Sequence, residues 1–185
     1  MTGRKAPRRV AGPNLVLRLV DAEDAVYVHG LRVDPTYNRH LSEVRGDVED
    51  QRRWIETYKM REARGEEVYY IVERHDGTRC GTVRLYDIED DGFTWGSWIL
   101  DVNKPRKAAL ESAVLSFGVG FIQLNRDRAL VDVRIGNTHA EQFYRRLGMV
   151  ETHRSDREIY FVYPRDRFVT DRAGYLELLE KDISA

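Results

Sequence analysis

Phe93-Thr-Trp-Gly-Ser-Trp-Ile-Leu100, Asp101-Val-Asn-Lys-Pro-Arg-Lys107, a run from Ala108 to Leu124, Ala129-Leu-Val-Asp-Val-Arg-Ile135 and Asn137-Thr-His-Ala-Glu-Gln-Phe-Tyr-Arg-Arg-Leu-Gly148 decide the fold. The first segment reads as a strand and the second as a basic loop. Leu110, Ala113, Val114, Phe117, Phe121 and Leu124 recur at helical spacing, which makes the third a long helix. Ala129 to Ile135 reads as another strand. Asn137 to Leu147 then predicts a short helix with Ala140, Phe143, Tyr144 and Leu147 on one side. Two strands joined by a helical crossover normally lie parallel and adjacent.

Upstream, Asn14 to Val20 reads as a strand. Asp21 caps a helix carrying Val26, Val28 and Leu31, which stops near Asp34 because Pro35 disfavours helical geometry before it. A polar connection from Arg32 to His40 follows. Asp47 caps a second helix, Val48 to Arg64, with Trp54, Ile55 and Tyr58 as its apolar stripe and Gly65 as its stop. Glu67 to Glu73 is a strand apolar on both faces. The turns Asp76-Gly77 and Asp90-Asp91-Gly92 then fold Arg79 to Ile88 and Phe93 to Leu100 into an antiparallel run. Downstream, Val150 to Arg154 and Glu158 to Tyr163 read as strands, and Arg165 to Ile183 as an appended helix with Tyr175, Leu176, Leu179 and Ile183 along its seam. The order is mixed α/β. It predicts one domain over residues 13–164, a disordered basic tail over 1–12 and the appended helix over 165–185.

The 185 residues, 42% hydrophobic, suffice for one globular domain, which at this size buries roughly 70% of its unfolded surface. Thirty basic against thirty-one acidic side chains give a formal charge of -1, so nothing global points to nucleic acid or a membrane. The lone cysteine, Cys80, rules out an internal disulfide and a multi-cysteine metal site, and it reads as a small buried residue in a reducing cytoplasm. No apolar run approaches the roughly 18 residues that span a bilayer.

In the Asn137 helix, Thr138 and Glu141 have capping-box spacing. Either Thr138 caps and Asn137 is free to reach a ligand, or Asn137 is itself the cap. Tyr144 falls one turn beyond Ala140, on the side of the preceding strand. In the basic loop, Lys104, Arg106 and Lys107 gather three cations where Pro105 can start a helix. Trp95 and Trp98, three apart, are expected on opposite faces of a regular strand, one in the core and one lining a pocket.

From Leu15 to Tyr163 the pattern resembles the GNAT superfamily of N-acetyltransferases. The most specific piece is Val133 to Met149, similar to that family's Asn-x-x-Ala-x-x-x-Tyr-x-x-x-Gly helix. The resemblance implies a mostly antiparallel sheet of six to seven strands with helices on both faces, and a splayed parallel pair gripping acetyl-coenzyme A as co-substrate. It implies that Asn137 contacts the pantetheine arm beside Ala140 and Phe143. It makes Tyr144 the general acid; a phenol of pKa about 10 can protonate a departing thiolate. Asn103, Lys104, Arg106, Lys107 and Ala108 stand at the expected pyrophosphate site, although this loop lacks the family's two glycines. Trp98, Ile99 and Leu100 would edge the thioester, where backbone amides can hold the carbonyl oxygen. Gly96 to Leu100 with Ala109 to Ser112 resembles a subgroup tied to surface-polysaccharide amino-sugar acetylation.

An acceptor ammonium must lose a proton before it attacks, and His40, Glu43 and Asp87 are the candidate bases. Arg32, Arg39 and Arg45 can pair with the diphosphate of a nucleotide-linked amino sugar. His139 reads as solvent-facing. His29, His75 and His153 show no ligand spacing, so no metal is expected. The reading is an acetyl-CoA-dependent N-acetyltransferase for a small-molecule amine, with no nucleic-acid or membrane partner and a possible homodimer. Protein amino-terminal acetylation, as of ribosomal proteins, is the alternative acceptor. A catalytically inactive GNAT-fold binding module is the alternative of another class.

Overall fold

Val68, Tyr70 and Val72 of strand β3 (Val68–Arg74) belong to one hydrophobic cluster, and Tyr69 and Ile71 belong to another. Such alternation is what a strand covered on both faces requires. The computed structural model describes residues 4–181. Around β3 it places β1 (Arg9–Ala11), β2 (Leu15–Leu19), β4 (Arg79–Tyr86), β5 (Gly92–Leu100), β6 (Arg128–Arg134), β7 (Val150–Arg154) and β8 (Glu158–Pro164). They form one sheet of eight strands in the order β1-β2-β3-β4-β5-β6-β8-β7. Every pairing is antiparallel except β5 with β6, the pair joined by the helical crossover.

Helices α1 (Ala25–Val33) and α3 (Val48–Arg64) bury Ala25, Val28, Ile55 and Tyr58 against Tyr69 and Ile71 on one face. Helices α4 (Ala108–Gly118), α5 (Thr138–Leu147) and α6 (Arg165–Glu180) supply Phe117, Tyr144 and Phe168 to the core on the other. The start of α3 shows why its sequence stops and starts where it does. Asp47 and Asp50 form a reciprocal capping box, and Gly65 closes the helix in the left-handed region at φ +76°. A four-residue helix, α2 (Pro35–Asn38), fills part of the connection read as a polar loop.

Arg9 to Ala11 correct the expectation of a disordered tail over 1–12. They form the edge strand β1, with Val10 opposite Leu17, and so raise the strand number above the expected six to seven. Three residues among arginines give no readable alternation, and the partner strand supplies the order. Met1 to Gly3 of that tail, and Ile183 of the expected C-terminal seam, lie outside the described residues. In α6 itself Phe168 and Leu179 are buried, and Tyr175 packs against the core cluster.

β5 carries the irregularity on which the site depends. Thr82 pairs with Ile99 but Arg84 with Gly96, so Val83 alone faces both Ser97 and Trp98. This is a β-bulge. Ser97 takes φ +47°, which costs a non-glycine residue roughly 1–2 kcal/mol, and the Thr82 hydroxyl donates to the Ser97 carbonyl at 2.9 Å. The extra residue changes the parity of the strand. Trp95 and Trp98 therefore point to the same side, contrary to the expectation from their spacing. Their rings are 5.1 Å apart, and their indole nitrogens donate to Ser116 at 2.9 Å and Ser112 at 3.0 Å, one turn apart on α4. Thr82→Val, of similar volume but leaving the Ser97 carbonyl without its donor, is expected to lower unfolding free energy by about 1–3 kcal/mol in urea titration. An unchanged midpoint would show that the bulge is not held by this bond.

Candidate active site

β5 and β6 are paired only at Gly92–Arg128, Phe93–Ala129 and Thr94–Leu130. Beyond Thr94 and Leu130 they separate, and the divergence opens a passage through the sheet. Ala129, Val131 and Val133 of β6 join the core on the α4 side, so Leu130 and Asp132 point to the opposite face. A cavity of about 320 Å³ at the divergence is lined by Tyr86, Trp95, Gly96, Trp98, Asp132, Val133, Arg134, Asn137, Ala140, Tyr144 and Glu158, together with Tyr37, His40, Leu41 and Ser42. A second cavity, about 260 Å³, lies between the ends of β5, α4 and α5 and is lined by Trp98, Leu100, Lys104, Ala109, Asn137, His139, Ala140 and Phe143. The two share Trp98, Asn137 and Ala140.

Aromatic side chains hold the passage open. Trp98 stacks on Phe143 at 5.3 Å, and Tyr144 meets Trp95 edge-on at 5.9 Å and Phe161 at 6.1 Å. The Tyr144 ring is 6% exposed, so packing fixes its position at the wall of the first cavity. Burial raises its phenol pKa above the ordinary value, and the Asp132 carboxylate pushes it the same way. The hydroxyl therefore stays protonated at neutral pH, the state a proton donor needs.

At the head of α5, Asn137 is the cap: its Oδ1 accepts from the Ala140 N–H at 3.4 Å. Glu141 pairs with Arg145 at 2.9 Å instead of completing a box with Thr138. Capping uses the amide oxygen, and the Asn137 side chain still borders both cavities. At the head of α4, Asp101 organises the loop. It accepts from the Tyr27 hydroxyl at 2.7 Å and from the Asn103 N–H at 2.8 Å. Lys107 adopts φ +60°, so a side chain here takes the left-handed turn that a glycine would make without strain. The Ala108 N–H turns back to Pro105 and the Glu111 N–H to Lys107, and among the described residues the Ala109 and Leu110 amides have no acceptor. Two free amides at a helix start, with Lys104 and Arg106 exposed beside them, fit a pyrophosphate. The Lys107 ammonium points elsewhere, donating to the Leu178 carbonyl of α6 at 2.6 Å.

Among the residues singled out from sequence, His40 lines the first cavity, whereas Glu43 is exposed and lies 3.7 Å from Arg45. Asp87 lines a different groove of about 560 Å³, with Arg61, Glu66, Glu67 and Arg128. It is larger than the cavity at the divergence, yet Tyr144 and Asn137 are not part of it. Arg32 donates to the Ser42 hydroxyl at 3.0 Å, and Arg39 lies on a shallow surface with Pro35 and Thr36. Neither Arg32, Arg39 nor Arg45 lines the cavity at the divergence. Besides His40, Asn137 and Tyr144, its lining includes the polar side chains of Asp132, Glu158, Tyr86 and Arg134, none of these four singled out from sequence. Asp132 sits at an outward position of an alternating strand, which reads as ordinary solvent exposure until the strand pairing is known to end. Its carboxyl pKa is raised, first by lost hydration and then by the nearby Glu158 charge. Among the described residues no group of three His, Cys, Asp or Glu is placed to hold a metal, and no helix is long and apolar enough to cross a membrane.

Comparison with known proteins agrees with this geometry. Residues 14–150 match the acetyltransferase (GNAT) domain family. The structure superposes on apo FdhC, described as a nucleotide-linked sugar GNAT, with a TM-score of 0.85 and 35% identity over 92% of this chain and 98% of that one. Spermidine N-acetyltransferase from Vibrio cholerae, solved with CoA and spermine, gives a TM-score of 0.74 at 17% identity over 84% of this chain and 98% of that one, a likeness of fold. A search of curated proteins gives no match. The chain belongs to the GNAT acetyltransferase family. It is accordingly an acyltransferase of the class that takes acetyl from acetyl-CoA. Lys104→Ala and Arg106→Ala are each expected to weaken coenzyme A binding roughly ten-fold in low-salt calorimetry and less at high salt. Lys107→Ala should change it little; equal losses for all three would place Lys107 at the phosphates.

Proposed function

We propose that this chain transfers acetyl from acetyl-CoA to the primary amine of a nucleotide-linked amino sugar by direct attack. The observation that carries the acceptor class is the 35% identity, over nearly the whole of both chains, with a GNAT described as acting on nucleotide-linked sugars. The exposure of Asp132 at the first cavity supports it, because a bulky acceptor can reach the carboxylate from solvent. The cavity lined by Trp98, Leu100, Asn137 and Phe143 and the free amides of α4 suit a pantetheine arm and its pyrophosphate.

Bound acetyl-CoA supplies an activated carbonyl and a thiol leaving group. Leu100, whose backbone lies on the edge of β5 that β6 no longer pairs, offers its N–H towards the carbonyl oxygen. Trp98 and Phe143 wall the passage from water. Tyr144 donates its proton to the departing sulfur, and its raised pKa keeps that proton in place through the neutral range.

Tyr144→Phe is expected to lower kcat by about 10² to 10⁴ while coenzyme A affinity is kept, and the wild type should show no alkaline loss of activity from this group below about pH 10. Unchanged turnover in the variant removes Tyr144 from the chemistry. Mass spectrometry of acetyl transfer to amino-sugar nucleotides, free polyamines and peptides tests the acceptor: acetylation of the first group is expected. Transfer only to peptide amino termini would favour protein acetylation, and coenzyme binding without any transfer would favour a binding module.

A further inference from the structure

We infer that Asp132 is the base of this reaction, taking the proton from the acceptor's ammonium on the face of the sheet opposite α4, and that Glu158 tunes it. The inference rests on the acyltransferase reading and deepens it by assigning the proton acceptor. Asp132 lies two residues past Leu130, the last residue of β6 paired with β5, so its side chain stands where the passage opens. Its carboxylate forms no hydrogen bond or ion pair with another described residue, whereas several acids of the sheet are committed. Glu67 holds Arg84 at 2.7 Å, Glu73 holds Arg18 at 2.6 Å and Asp101 holds Tyr27 at 2.7 Å. An uncommitted carboxylate beside the proton donor of the same cavity is placed to receive a proton.

The titratable groups around it come from every adjoining element. Tyr86 reaches the cavity from β4, with the Arg84 guanidinium over its ring at 4.5 Å. Tyr144 comes from α5, His40 from beyond α2 and Arg134 from β6 itself. From β8, Tyr160 is the direct cross-strand partner and donates to Glu158 at 3.0 Å. Partial loss of hydration and the Glu158 charge both favour the protonated acid, which makes Asp132 a stronger base than an ordinary carboxylate. Tyr86 and Tyr144 sense the same charge, since Asp132 raises the pKa of each.

The step balances. The ammonium gives one proton to Asp132, the freed nitrogen lone pair forms the C–N bond, and the C–S bond breaks. The sulfur takes the Tyr144 proton, a second proton leaves the nitrogen and restores the phenol, and Asp132 returns its proton to solvent.

The test is the pH profile of kcat for the wild type, Asp132→Asn, Asp132→Glu, Glu158→Gln and His40→Gln, with coenzyme A affinity measured for each. The wild type is expected to gain activity through an acid limb above the ordinary carboxylate range. Asp132→Asn should lose the limb and about 10² to 10⁴ in kcat at unchanged coenzyme affinity. Asp132→Glu should keep a limb, which tells loss of the base from loss of the fold. Glu158→Gln, by removing a like charge, should move the limb to lower pH, and His40→Gln should leave it. An unaltered profile in Asp132→Asn, or a limb lost in His40→Gln, overturns the assignment while the acyltransferase reading stands. A limb that stays in place in Glu158→Gln overturns the tuning role. No transfer by the wild type to any amine overturns the reading and the inference together.

Discussion

The parallel ladder between β5 and β6 lasts three residue pairs, and the other features of the site follow from its ending there. A parallel pair is fixed by its crossover, so the helix between the strands can keep them adjacent at one end while a distortion parts them at the other. That distortion is the bulge at Ser97 and Trp98. It bends β5, increases its twist and costs a strained residue, which Thr82 and the two tryptophan–serine bonds to α4 offset. The backbone groups left without a strand partner become available to a ligand. A sheet that closed this gap would bury them in its own ladder and have nowhere to place a thioester.

Parting the strands also joins the two faces of the sheet, which explains why acid and base stand apart. Tyr144 belongs to the packed side and is held by the rings of Trp95, Trp98, Phe143 and Phe161. Asp132 belongs to the other side of β6, where it is exposed. One group is rigid and kept neutral by burial; the other is reachable by an incoming amine. In the proposed reaction, proton donor and proton acceptor meet one reacting centre from opposite directions, without competing for the same space.

Much of this architecture is legible in the sequence because apolar periodicity and turn residues speak for themselves. The limits of α3 follow from Asp47 and Gly65, and the crossover between β5 and β6 from the spacing of Leu110 to Leu124. The bulge is not legible. A serine at φ +47° carries none of the glycine signal that usually marks such a residue, so the parity of Trp95 and Trp98 is misread. The same holds for Lys107 at φ +60° in the loop that lacks glycine. Choosing between Asn137 and Thr138 as cap needs the position of Glu141, which Arg145 has drawn away. Arg32, Arg39, Arg45, Glu43 and Asp87 stand in or beside polar connections, where function is often carried, but none lines the cavity at the divergence. Asp132 gives no signal in the sequence, because regular alternation disguises a position that only the end of a ladder makes special.

Hydrogen exchange of backbone amides with and without saturating coenzyme A tests the parted strands most directly. Amides from Gly96 to Leu100 and from Ala109 to Leu110 should gain protection on binding, while Phe93 and Thr94, already in the ladder with β6, should change little. Saturable binding that instead protects the groove of Arg61 and Arg128, or leaves Gly96 to Leu100 exchanging as before, would contradict the account.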